Sequence, residues 1–207
     1  MFVLTIDQRR SRRDVDRVEA LLVDMSGAPL HRPFERTAGD EVQAVVEATS
    51  DGARTVVNIA LELIKQGTWS IGIGTGTVEE PLPSSTRAGR GPAFEAARDA
   101  VTRAKHAPAS VAVTAADPTH AQQCSDAETA LTLVGLLITD RTEQGREAAD
   151  LMASGHTQTS AAEYLGITKQ AMSQRLSVAR WTIEAGGRTL AEHLLDNIET
   201  TVPERNP

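Results

Sequence analysis

The chain has 207 residues, with 21 Lys and Arg against 28 Asp and Glu for a formal charge of −7, and with 40% apolar and 3% aromatic residues. This ordinary globular composition excludes disorder throughout and collagen-like repeats, and the length allows one large domain or two small ones. The longest strongly apolar run, Ala130 to Ile138, is interrupted by Thr132 and Gly135, whereas a bilayer span needs about 20 such residues, so no membrane insertion is expected.

Phe2 to Asp7 is short, apolar and β-branched, and reads as a buried strand ending in an acid. Arg9, Arg10, Arg12 and Arg13 follow it, but Asp14 and Asp16 stand where an export signal would need apolar residues, so a cytoplasmic chain is expected. A helix is predicted over about Ser11 to Met25, with Val15, Val18, Leu21 and Leu22 on one stripe. Phe34 to Val46 holds two strand-like runs around Gly39-Asp40, the chemistry of a tight hairpin. A second helix is predicted over Gly52 to Lys65, followed by an alternating strand from Trp69 to Gly76 whose glycines imply close approach of backbone or ligand. Glu79 to Pro92 reads as a long polar loop, Pro92 to His106 as a third helix, and Ser110 to Thr114 as a last strand. The order is βαββαβαβ, which two helices on one face of a mostly antiparallel sheet would satisfy.

From Asp126 onward the pattern is helical, and the chain divides into residues 1–118 and 119–207. Cys124 is the single cysteine, which excludes an internal disulfide and leaves helix packing as its expected role. The polar tail from Thr200 to Pro207 reads as frayed.

Residues 157–184 carry the marks of a helix-turn-helix: Ala162 where two helices cross, Gly166 for a left-handed turn, and Leu165, Ile167, Met172 and Leu176 as shared core. Thr168 would cap the second helix, which would present Lys169, Gln170, Ser173 and Gln174 to base edges and phosphates. No acid occurs between Tyr164 and Ile183, so Lys169, Arg175 and Arg180 form a local positive patch. The run Ser160 to Leu176 resembles the helix-turn-helix of sigma-factor region four and its regulator relatives. A pair of helices that merely packs or dimerises is the plainer alternative.

Asp7 and Asp40 would lie side by side if their strands are neighbours, and two carboxylates there suit Mg²⁺ with a nucleoside polyphosphate. Spacing alone is equally met by a strand-end and a turn aspartate without metal, and that is the default. The arginines after Asp7 fit either a phosphate or a solvated helix start; a bound anion would relieve their conflict with the helix dipole.

Arg36 to Asp40, Ile71 to Gly76 and Gly91 to Arg98, in this order after the Asp7 strand, resemble the sheet of class III nucleotidyl cyclases and diguanylate cyclases. The resemblance is closest to the SatD family, through Asp7, Ser11, Gly39, Asp40, Glu41, Gly91, Pro92 and Ala93. It implies an α+β, ferredoxin-like domain, Asp7 and Asp40 as metal ligands, and Arg98 as the arginine that steadies phosphate charge. The cyclase asparagine falls at Phe94 and the purine-selecting lysine at Arg36, so the domain is expected to sense a nucleotide rather than turn it over, with Arg87 and Arg90 of the polar loop closing over phosphates. The expectation is a sequence-specific, DNA-binding transcriptional regulator, homodimeric, with a non-catalytic sensor domain and double-stranded DNA and a nucleotide effector as partners. An Mg²⁺-dependent nucleotidyl cyclase or phosphotransferase regulated by its helical domain is the alternative, and an adaptor touching neither ligand is a third.

Overall fold

The apolar run at the start of the chain becomes the middle strand of a five-stranded sheet in the computed structural model, which describes residues 1–11 and 13–200. Arg12 of the arginine cluster and the tail 201–207 lie outside the described residues. β1 (Phe2–Gln8) is followed by α1 (Val18–Asp24), β2 (Arg32–Ala38), β3 (Glu41–Val46), α2 (Ser50–Gln66), β4 (Trp69–Thr75), α3 (Pro92–Ala104) and β5 (Val111–Ala115). The helices α4 (Ala121–Thr139), α5 (Glu143–Ala153), α6 (Gln158–Tyr164), α7 (Lys169–Val178) and α8 (Trp181–Thr200) complete a mixed α+β chain whose C-terminal part is helical. The strand order is β2-β3-β1-β4-β5, antiparallel except for the β4–β5 pair.

Local chemistry sets the boundaries. The β2–β3 hairpin turns at Gly39 with φ 58°, and α2 starts where the Thr49 hydroxyl accepts from Gly52 N and stops at Gly67 with φ 70°. The helix expected from Ser11 begins only at Val18. Upstream of it the Asp14 and Asp16 carboxylates accept from Val15 N (2.8 Å) and Val18 N (2.9 Å), which offers those amides partners other than helical carbonyls. Val15 is consequently exposed rather than on an apolar stripe.

Phe2, Leu4 and Ile6, with Val42, Val46, Ile71, Ile73 and Val111, face a core shared with α1, α2, α4 and α8. The opposite face, with Val3 and Val45, is covered by Ala93, Phe94 and Ala97 of α3. Instead of two helices on a single face, helices cover both: α1, α2, α4 and α8 lie on one and α3 on the other. The glycines of β4 permit that packing: a Cβ at Gly74 would stand 2.2 Å from Ala97 N, and one at Gly72 2.3 Å from Val101 N.

The expected division after residue 118 falls between β5 and α4, yet Cys124, Leu131 and Ile138 of α4 and Leu195 and Ile198 of α8 belong to the sheet's own core. Only α5, α6 and α7 gather a separate cluster, around Ala148, Ala161, Ala162, Met172 and Leu176. No helix among the described residues is long and apolar enough to cross a membrane.

Candidate nucleic-acid interface and a cationic cleft

Three helices build the first site. Thr157 opens α6 through a capping box with Ser160, and Gly166, at φ 64°, turns the chain. The Thr168 hydroxyl then accepts from Ala171 N (3.1 Å) to start α7. Met172 and Leu176 are buried against Ala148 of α5 and Ala161 and Ala162 of α6, and Leu165 and Ile167 pack on the rim. One side of α7 is thereby fixed, and Thr168, Lys169, Gln170, Ser173 and Gln174 are exposed on the rest. Ser177 and Val178 continue the exposed arc, and Val178 is an apolar addition that sequence periodicity did not single out.

The predicted basic residues separate. Arg175 turns toward α5 and pairs with Glu147 at 3.0 Å. Arg180 is exposed beyond the end of α7 with φ 57°, and its carbonyl accepts from Glu184 N (3.0 Å) at the start of α8. The acid-free stretch of sequence thus gains an acid in space, and Lys169 and Arg180 are the cations of the patch left outside an ion pair with α5. A buried network braces this module: Arg141 pairs with Glu184 and donates from Nε to Ala179 O at 2.9 Å, and Glu184 also accepts from Arg188 at 2.7 Å. Arg188 in turn reaches Asn58 of α2 at 3.3 Å, and Lys65 of α2 pairs with Asp150 of α5 at 2.6 Å.

The second site is an open cleft of about 610 Å³ at the end of β1, lined by Asp7, Asp40, Ser70, Lys105 and the arginines Arg9, Arg10 and Arg13. Asp7 and Asp40 are brought to one place, as expected from neighbouring β1 and β3. Lys105, at the C-terminal end of α3, donates to Asp7 Oδ2 at 2.8 Å. It lies 98 positions from Asp7, and only the length and direction of α3 bring it there, so no local sequence signal could have found it.

The remaining ligand candidates do not line this cleft. Arg36 donates to Asp16 (2.7 Å) and to Gly39 O (3.0 Å), and backbone Val18 N–H together with that guanidinium holds the Asp16 carboxyl below its ordinary range. Arg87 and Arg90 belong to a loop tied to β2: Arg32 donates to Leu82 O (3.1 Å) and Pro83 O (2.8 Å), Thr86 to Pro33 O (2.7 Å) and Ser85 to Glu35 (2.6 Å). Arg98 is exposed on α3, and Phe94 is buried beside Leu82 and Val3.

For Mg²⁺ the donor set offers two carboxylates, Asp7 and Asp40. A divalent ion would need Asp7, which already carries an ammonium, and would enter among four cationic side chains facing two carboxylates. Among the described residues no group of three or more His, Cys, Asp or Glu side chains is placed to hold a metal. Comparison with protein families, curated proteins and solved structures finds no match to this chain.

Proposed function

We propose that the chain is a sequence-specific, DNA-binding transcriptional regulator in which α7 enters the major groove of double-stranded DNA. The observation that carries this reading is the exposed, acid-free arc of Lys169, Gln170, Ser173 and Gln174 on a helix locked from behind by Met172 and Leu176. Ten residues give α7 a length of about 15 Å, enough to cross a major groove about 12 Å wide. Gln170 and Gln174 offer both donors and acceptors, the chemistry that reads adenine edges, while Lys169 meets phosphate or guanine.

The sheet unit, with α4 and α8 packed into its core, serves as a non-catalytic sensor and dimerisation unit. Its antiparallel order β2-β3-β1-β4, with α1 and α2 on one face, supports a ferredoxin-like, cyclase-like reading. Burial of Phe94 and the Lys105–Asp7 pair support sensing over turnover. Useful affinity from one helix-turn-helix per chain calls for two copies reading half-sites a helical turn apart.

The flank formed by α4 and α8 supports a second copy as the occupant of that interface. Leu133, Ile183 and Leu190 are 60%, 56% and 53% exposed there. Gly187 meets Val134 and Arg141 meets Glu184, which sets α4 and α8 antiparallel. The charges of α8 turn to the other side, where Arg188 meets Asn58, Glu192 meets Arg54 and Asp196 meets Ser50. Exposed apolar side chains of this kind can meet their own symmetry mates, as an isologous interface requires.

The test is selection of bound fragments from random-sequence duplex DNA by the purified chain at near-physiological salt, where nonspecific phosphate binding fades. A few enriched sites sharing an inverted repeat are expected; uniform or absent recovery removes the reading.

A further inference from the structure

The loop after β1 concentrates positive charge that DNA reading by α7 does not use. Its geometry is fixed by one buried amide: Gln8 donates from Nε2 to Val15 O and accepts from Arg17 N on Oε1, both at 2.8 Å. Arg9 is held at the end of α2, its N–H donating to Thr68 O at 2.8 Å and its guanidinium to Gly67 O at 3.4 Å. Arg10 takes φ 59°, and Arg13 N donates back to Arg10 O at 2.8 Å. These bonds close the loop on itself and set Arg9, Arg10 and Arg13 around the cleft that Lys105 also lines.

We infer that this cleft is a metal-independent site for a small polyphosphate-type anion, with Lys105 at Asp7 in the place a divalent cation would otherwise take. Among the described residues the cleft's four cations exceed its two acids, within a chain of net charge −7, so the excess is local. Guanidinium forks suit phosphate oxygens bidentately, and a lysine ammonium suits them as a point charge. A volume of about 610 Å³ is that of a small-molecule site, and a concave cleft between sheet end and loop favours a compact anion over a duplex.

The test is calorimetric titration of sodium tripolyphosphate into the full chain, in EDTA and again in excess Mg²⁺, with no DNA present. Binding is expected in EDTA and is not strengthened by Mg²⁺. Arg10→Gln with Arg13→Gln should weaken it about tenfold or more, the effect of losing charge-assisted hydrogen bonds. Both side chains are exposed, so circular dichroism and the urea midpoint should match the parent. Lys105→Met discriminates further: it should weaken binding in EDTA, whereas a metal site would bind tripolyphosphate more tightly with Mg²⁺ once Asp7 is released. Binding that requires Mg²⁺, or no binding in either buffer, overturns the inference. So does a variant that leaves tripolyphosphate binding unchanged while lowering the salt dependence of DNA binding, which assigns the arginines to the duplex backbone. Because the titration contains no DNA, its failure is distinct from failure of the DNA-binding reading.

Discussion

Gln170 and Arg175 lie five positions apart on α7 and face different surroundings, so their substitution separates reading from bracing. Gln170→Ala should cost about 1–3 kcal/mol of discrimination at one base pair, measured by binding to a panel of single-base variants of the selected site. Arg175→Ala removes a partly exposed pair with Glu147; it should leave base preference unchanged and alter stability by less than about 1 kcal/mol. Glu35 offers a pH prediction. The Ser85 hydroxyl, aided by the Arg87 and Thr86 amides, holds its carboxyl below the ordinary glutamate value of 4.5. A depressed value means that the contribution to stability is complete above that ordinary value and is lost as pH falls through the lowered one. Amides of residues 79–91 should therefore lose protection from hydrogen exchange in that acidic window, and Glu35→Gln should abolish the pH dependence.

At the scale of elements, close packing of α3 on β4 and the ion network under α8 are the sensitive points. Gly74→Ala drives a Cβ into the backbone of α3 and should destabilise by about 1–3 kcal/mol or more in urea unfolding. Glu184→Ala leaves Arg141, whose side chain is 5% exposed, as an unpaired buried charge and should cost about 3–5 kcal/mol. The order of strands and helices through β5 was legible because hydrophobic period, Gly39-Asp40 and the stop at Gly67 act locally. The bounds of α6 and α7 were legible for the same reason: Thr168, Gly166 and the Met172–Leu176 spacing each work within one turn. The start of α1 was not, because Gln8 and the two aspartates compete with helical carbonyls for its first amides. Lys105, the tethering of residues 79–91 to β2, and the Arg175–Glu147 pair depend on packing between distant segments, which spacing along the chain does not encode. The glycines of β4 were legible as close approach, and only the fold tells that the visitor is a helix.

For the whole molecule, the exposed Leu133, Ile183 and Leu190 of α4 and α8 predict association. Leu190→Glu with Leu133→Glu would place like charges opposite each other across a two-fold interface, and light scattering should find a dimer for the parent and a monomer for this variant. Both positions are more than half exposed, so the monomer should keep the parent's circular dichroism. A parent that is monomeric at micromolar concentration removes the interface. The return of α8 to the sheet core has a separate consequence. Because the α5–α7 cluster is inserted between two helices that both belong to the first unit, it hangs from two stems rather than one. Cutting the chain before α8 would strip the sheet of Leu195 and Ile198 as well as the network around Glu184, so the α5–α7 portion cannot be amputated cleanly from its C-terminal side. A pendant on two stems does not swing freely, and a third tie holds it at the end of α2, where Lys65 grips α5 and Arg9 grips Gly67 and Thr68.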